Sequence, residues 1–396
     1  MKYKIIFLFI LGLDGLNLIF QTSQISISYY EALVLYGDLS LLQLVTKASI
    51  FIFGQSDFAL RLPVILAHLL SAILIFDISK YYIKDDYNRI WLVFIFILLP
   101  GVLSSALVVN KAGFIIFGLL TFIWLFLKNY VKLYYALLVL FALSESSFLY
   151  LFLALFIYGI FKKDKKLFIF NLLMILISFY LYGIDAHGKP SGHFLDTIAL
   201  YSAIFSPIVF IYMVFVLYRK YLDDKEDIIW FISATGFLVS ILLSFRQDIN
   251  IEYFAPYLIV ALPLAAKRFI NSYRVRLKEF RKTYRIMFQI SLVLLIVNVT
   301  IVIFNKELYR FLDNPRKHFV YKFHIAKELA RKLHESGISC VDTNSRLQKR
   351  LYFYGVTKCD KYILSDQIEK ENMKNNVTIS YKNNIVYSAY VTKLNK

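Results

Sequence analysis

The sequence predicts a polytopic α-helical membrane protein of about eleven transmembrane helices, with a small C-terminal α/β domain on the extracytoplasmic side. Three observations predict it. Of 396 residues, 59% are hydrophobic and only 18% charged, and the mean hydropathy is +0.60. A soluble chain of this length needs far more polar surface. Apolar runs of about 17 to 25 residues, the length that crosses a bilayer, recur through residues 1–304. From residue 305 these runs stop and the composition shifts to Lys, Asn and Tyr.

The spans are expected near 5–22, 59–79, 90–109, 113–127, 133–144, 147–161, 167–184, 197–218, 228–245, 252–266 and 286–304. The first follows Lys2 and Lys4, as a signal peptide would. It lacks a small-residue cleavage site and carries Asp14, which argues for an uncleaved span. The fifth and sixth are short, and the polar stretch 144–147 (SESS) separates them.

Charge orients these spans. The net charge of +18 raises nucleic acid as a partner, but the cations cluster in short loops between apolar runs. Loops assigned to the inside carry 22 Lys and Arg, and outside loops carry 5. That is the positive-inside pattern of a membrane protein, so nucleic acid is not an expected partner. Deleting the turn at 144–147 would destroy the alternation. The expected location is the inner (plasma) membrane, with the N-terminus cytoplasmic and the C-terminal domain periplasmic.

The expected organisation is a transmembrane domain over 1–304, with its first outer loop at 23–58, and a soluble domain over 305–396. In the latter, 324–336 and 345–355 have helical periodicity, while 338–343 and 361–365 read as strands. Together they suggest a βαβ-like heart. Two cysteines exclude a disulfide-dense scaffold. Cys340 and Cys359 either pair in an oxidising compartment or stay reduced. The basic run 267–285 reads as an inside anchor on anionic membrane lipids.

Outside polar groups are few, so they are the candidate site residues. The segment 26–63 joins the first two spans and is unusually long and polar. Glu31 is the first candidate for a catalytic carboxylate, as base or metal ligand; the alternative is a solvated glutamate. Asp38 is the second, with helix capping as its alternative role. Arg61 at the start of the second span suits a lipid phosphate, or simply snorkels to headgroups. Arg246 is a second clamp or an ion-pair partner of Asp248. Lys111 and Tyr30 complete the phosphate or donor-binding set. The other outside acids are Asp57, Glu145, Asp185, Asp196, Asp248 and Glu252. His187 and His193, with Asp185 and Asp196, match no standard metal-ligand spacing. Asp14, in mid-span, needs a partner, a cavity or a proton. His68 reads as a packed core histidine.

Two stretches carry a resemblance. FGQSDFALRLP (53–63) resembles the end of the first outer loop in GT-C class membrane glycosyltransferases, of the protein O-mannosyltransferase-like and aminoarabinose-transferase-like kind. EYFAPYLIVALPLAA (252–266) resembles their late span. The resemblance implies transfer of a sugar from a polyprenyl-phosphate carrier to a lipid, glycan or protein acceptor on the outer face, with inversion. The family's first loop carries an Asp-Glu pair ahead of a tyrosine pair. Here those positions are Ser26 and Ile27, and Glu31 lies about one helical turn on. Leu39 and Ser40 replace a His-Pro-Pro, and Asn110 replaces a second acid. The cofactor stays open; a divalent cation (Mg or Mn) on Glu31 is the candidate. The alternatives are a transporter or flippase for a lipid-linked glycan precursor, and a non-catalytic member of a glycan-assembly complex.

Overall fold

The structure, a computed structural model, describes residues 2–37, 39–183, 192–222, 227–312, 314–365, 376–382 and 384–393. Every predicted apolar stretch holds helix. The helices are α1 (Lys2–Gln24), α2 (Tyr29–Tyr36), α3 (Leu41–Phe53), α4 (Asp57–Ser79), α5 (Asp86–Leu98) and α6 (Pro100–Leu107). Then come α7 (Lys111–Leu127), α8 (Val131–Ser144), α9 (Leu149–Lys162), α10 (Lys165–Tyr182), α11 (Phe194–Phe205) and α12 (Pro207–Tyr221). The apolar series ends with α13 (Ile228–Ser244), α14 (Ile251–Ile259), α15 (Leu262–Val275) and α16 (Lys278–Ile303). The break expected at 144–147 is present: α8 stops at Ser144 and a short turn, Ser146–Phe148, leads into α9.

This is a multi-pass membrane architecture. Among the described residues, five helices are long and apolar enough to cross a membrane, or up to eight if each bent pair is one span. Two bends have a proline cause. Leu99 before Pro100 and Ser206 before Pro207 leave the helical region, since proline crowds the preceding residue out of it. The pairs bend there by 62° and 106°. On α16, Leu295 is the buried residue and the rest of the apolar surface is open, as on a helix solvated by lipid.

By contact the chain divides into two compact units, with borders unlike the one expected at 304. The first comprises Met1–Leu16, Ser40–Leu42 and Val64–Val299. The second comprises Asn17–Leu39, Gln43–Pro63 and Thr300–Lys396, so first-loop residues group with the C-terminal segment.

The first unit packs its helices through aromatic side chains. Gly236 on α13 is a contact point: a Cβ there would meet Tyr257 of α14 at 2.4 Å. That close approach lets the Tyr257 hydroxyl donate to the Ser147 carbonyl (2.7 Å) and accept from the Leu151 N–H (3.1 Å). The α8–α9 break is thereby fixed beside α14. Asp14 has its partner: His68 Nε2 lies 2.8 Å from its carboxylate, and the imidazole stacks on Phe96. His68 is thus a packed histidine with a polar duty.

In the second unit, α3 is inside out. Its polar residues Gln43, Thr46 and Ser49 are buried, while Phe51 is 91% exposed and Leu44 and Ile52 are open too. Gln43 Nε2 donates to the carbonyls of Leu35 and Gly37, and Ser49 Oγ to that of Ala59. A helix that keeps its hydrogen bonds inward and its apolar groups outward belongs against lipid.

The C-terminal segment adds α17 (Ala326–Glu335), α18 (Ser345–Phe353), β1 (Tyr362–Ser365), β2 (Asn376–Tyr381) and β3 (Asn384–Lys393). Both helices lie where periodicity placed them. The sheet differs from the expected βαβ heart. It is antiparallel, in the order β1-β3-β2, and 338–343 contributes only single parallel bridges, Cys340 to Thr357 and Asp342 to Ile363. The decisive element is the β2–β3 hairpin, whose turn residue Lys382 takes φ +55°. Central β3 then pairs with β1 along its other edge.

Cys340 and Cys359 form a disulfide, 19 residues apart in sequence. Closing a loop of that size restricts the unfolded chain, so Cys340→Ser is expected to cost about 3 kcal/mol. Thermal unfolding of the purified protein in detergent checks this.

A second stability element lies just after α16. His324 is buried with Nδ1 3.0 Å from the Tyr309 hydroxyl. Burial first, then the charges of Lys306 and His318, hold its pKa down at about 3, against an ordinary 6.5. The unfolded chain therefore binds this proton below pH 6.5 and the folded chain does not until about pH 3. Stability is complete above 6.5 and drains away as pH falls between those values. His324→Phe is expected to flatten that stretch of the profile, read as unfolding midpoint against pH.

Candidate active site

The first loop is built around a capping box. Ser28 caps α2: its hydroxyl accepts the Glu31 N–H at 3.1 Å, and Glu31 Oε2 accepts the Ser28 N–H at 2.8 Å. This holds the Glu31 carboxylate at the helix start, where the dipole favours it. Arg61, one turn into α4, meets it as a fork, Nε to Oε1 and NH2 to Oε2, both at 2.9 Å. The remaining guanidinium N–H groups donate to the carbonyls of Thr22 (3.4 Å), Ile25 (3.0 Å) and Ser26 (3.0 Å). All five arginine donors are used on protein oxygens.

Asp57, one turn before Arg61, extends the network. It accepts the Tyr354 hydroxyl at 2.6 Å and lies 2.8 Å from Lys327 Nζ. Tyr354 in turn accepts the Ile27 N–H, and Arg350 Nε donates to the Ile27 carbonyl.

This geometry gives Glu31 and Arg61 a structural partnership that the sequence did not show. The structure does bring them together, as a buried ion pair whose other hydrogen bonds go to the backbone, and both are 0% exposed. A clamp needs open N–H groups and a base needs an open oxygen. Arg61 donates to both Glu31 oxygens, and Oε2 also accepts the Ser28 N–H. Among the described residues no group of three or more His, Cys, Asp or Glu is arranged to hold a metal.

An open cluster of both charge signs lies in the first unit. Asn110 caps α7 by accepting the Gly113 N–H, which sets Lys111 at the first helical position. Lys111 Nζ lies 3.0 Å from Glu145 Oε1 and 3.2 Å from the Tyr253 hydroxyl. Glu145 comes from the α8–α9 break. Asn250 caps α14, which presents Glu252 and Tyr253 in its first turn. The Glu252 carboxylate takes the backbone N–H of Lys111. It thus sits on the positive end of α7, which offsets part of its charge. The Lys111 side chain is 33% exposed and that of Glu145 is 16%. Among the described residues, two of the three ammonium N–H directions have partners. The cluster therefore offers a cation and a carboxylate, side by side and reachable.

No known family and no curated protein matches this chain. Solved structures do. ArnT from Cupriavidus metallidurans bound to undecaprenyl phosphate matches with a TM-score of 0.56 at 13% identity, covering 89% of this chain and 74% of ArnT. The apo state of the same protein matches with a TM-score of 0.54 at 13% identity, covering 89% and 84%. ArnT is an aminoarabinose transferase of the GT-C class. The chain has the GT-C fold.

Within this GT-C fold, Arg246 and Tyr30 make none of the Lys111 cluster's contacts among the described residues. Arg246 is exposed just after α13, and among the described residues it makes no ion pair with Asp248. Tyr30 is 76% exposed on α2, edge-on to Tyr29. Asp38 lies outside the described residues, as do Asp185 and His187. His193 keeps Asp196 as a neighbour at 3.6 Å. Glu145 and Glu252 were visible in the sequence as outside groups but not as a site, and Tyr253 was not singled out. The signal was the coincidence of three polar breaks in apolar runs, at Asn110-Lys111, 144–147 and 250–253.

Proposed function

We propose that this chain is a glycosyltransferase of the inner membrane, acting on the extracytoplasmic face. It moves a sugar from a polyprenyl-phosphate donor to a lipid, glycan or protein acceptor, with inversion. The observation that carries the reading is the GT-C fold over 89% of the chain, shared with a transferase crystallised with undecaprenyl phosphate. The disulfide supports an oxidising compartment for the C-terminal segment. The excess of Lys and Arg in the loops the sequence assigns to the inside is in keeping with that side.

In this reading Glu145 takes the proton of the acceptor hydroxyl or amine. The acceptor atom bonds to the anomeric carbon as the bond to the phosphate oxygen breaks. The electron pair leaves with the polyprenyl phosphate, which the Lys111 ammonium stabilises. Single displacement inverts the centre. Tyr253 and Glu252 position the lysine.

The test is turnover by the purified full-length protein with a panel of undecaprenyl-phosphate-linked sugars, read as release of undecaprenyl phosphate by mass spectrometry. A folded protein that releases none from any donor sinks the enzyme reading. One observation favours a second reading, a non-catalytic member of a glycan-assembly complex: the first-loop carboxylate is sealed by Arg61. The same assay separates the two.

A further inference from the structure

Between α15 and α16 the chain turns. Arg276 is extended (φ −70°, ψ 145°), and α16 begins at Lys278. Arg281 ties the turn down. Its Nε donates to the Arg276 carbonyl at 2.9 Å, and a terminal N–H donates to the Arg274 carbonyl at 3.0 Å. Arg285, one helical turn further on, donates to the Tyr273 hydroxyl of α15 at 3.1 Å.

The first two turns of α16 therefore carry Lys278, Arg281, Lys282 and Arg285 at i, i+3, i+4 and i+7, a single stripe on one face. This start works against the helix in two ways. Like charges three and four residues apart repel. Cations in a first turn also oppose the helix dipole. Glu279 is the one acid in residues 267–285, against eight Lys and Arg. Around the same turn, Val275, Leu277 and Phe280 are 87%, 71% and 56% exposed.

Water suits neither feature. A membrane surface suits both, because it offers phosphates to the cations and acyl chains to the apolar groups. The rest of α16 locates that surface. Leu295 is its buried residue and its other apolar groups are open, so the stripe lies where this helix enters the bilayer.

We propose that this stripe, with Tyr273, is a discrete site for the phosphate of an anionic phospholipid, whose acyl chains receive Val275, Leu277 and Phe280. The sequence suggested an anchor over the run 267–285; the structure narrows it. Arg274 is paired with Asp85, and Lys267 lies over the Tyr82 ring. Among the described residues Arg285 uses one of its five N–H donors and Arg281 two. Guanidinium groups held in this way meet a phosphate as a fork. The site does not depend on the transferase reading.

The test is titration of the purified full-length protein, in a neutral detergent, with dioleoylphosphatidylglycerol, dioleoylphosphatidylcholine or inorganic phosphate. Binding is read as the shift in unfolding midpoint, and native mass spectrometry counts the lipids retained. Phosphatidylglycerol is expected to bind saturably and about tenfold more tightly than phosphatidylcholine, and inorganic phosphate to leave the midpoint unmoved. Lys278→Gln with Lys282→Gln should weaken phosphatidylglycerol binding about tenfold. With no lipid added, the same change should raise the midpoint, because it relieves repulsion. Arg285→Lys keeps the charge and loses the fork, and should weaken phosphatidylglycerol binding about fivefold. Equal binding of the two lipids, or as large a shift from inorganic phosphate as from phosphatidylglycerol, overturns the proposal. Full affinity in Arg285→Lys also overturns it, since only diffuse attraction would then remain.

Discussion

Arg61→Met is expected to lower stability by about 3–5 kcal/mol, because it strands the Glu31 carboxylate in a sealed site with nothing to neutralise it. Three backbone carbonyls, of Thr22, Ile25 and Ser26, lose their donors in the same step. Glu31→Gln is expected to be costly too, since the guanidinium then keeps its charge without its counter-ion. The double change Glu31→Gln with Arg61→Met should cost clearly less than the sum, as two partners removed together leave less unpaired charge. Unfolding midpoints of the four proteins in detergent check this. An Arg61→Met protein as stable as the parent would show that the pair is not structural. Loss of turnover in Glu31→Gln with full stability would return the carboxylate to the catalytic role expected from sequence.

Glu145→Gln is the second large effect, and it falls on rate. The amide oxygen still accepts from Lys111 Nζ, so the fold is expected to stay intact while the base is gone. General-base catalysis contributes about 10²–10⁴-fold, and turnover should drop in that range. Lys111→Ala removes the cation that in the proposed reaction meets the departing phosphate, and its loss should appear in kcat more than in KM. Both are read in the undecaprenyl phosphate release assay, with unfolding midpoints measured alongside. Turnover within about twofold of the parent in both variants would remove this cluster from the mechanism.

Much of the fold was legible because lipid imposes a simple rule. A crossing helix must satisfy its own backbone and show apolar side chains, so each span writes a run of apolar letters. Even the weak break at 144–147 could be placed, since charge alternation required it. The C-terminal helices were legible by period, Leu329 and Leu333 sitting one turn apart and both buried. The β2–β3 hairpin was not recognised, and without it the order of the sheet could not follow.

The candidate site was legible as parts and not as an assembly. Glu31 and Arg61 were both singled out, 30 residues apart, as separate tools for a substrate. Nothing local in the chain says that a guanidinium at the start of α4 reaches back to the first turn of α2. Lys111, Glu145 and Tyr253 are farther apart still, on α7, in the α8–α9 break and on α14.

The sequence by itself determined that the chain spans a membrane many times, which loops are basic, and where the few polar breaks in the apolar runs lie. Composition and period are properties of neighbours along a chain, and those are all that such conclusions need. Only the tertiary structure decided which polar groups meet. It sealed Glu31 onto Arg61 and left Lys111 beside Glu145 in reach of a ligand. The reason is physical: whether a charge is a bolt or a reagent depends on how many of its hydrogen bonds the protein has already taken, and those partners come from distant turns of the chain.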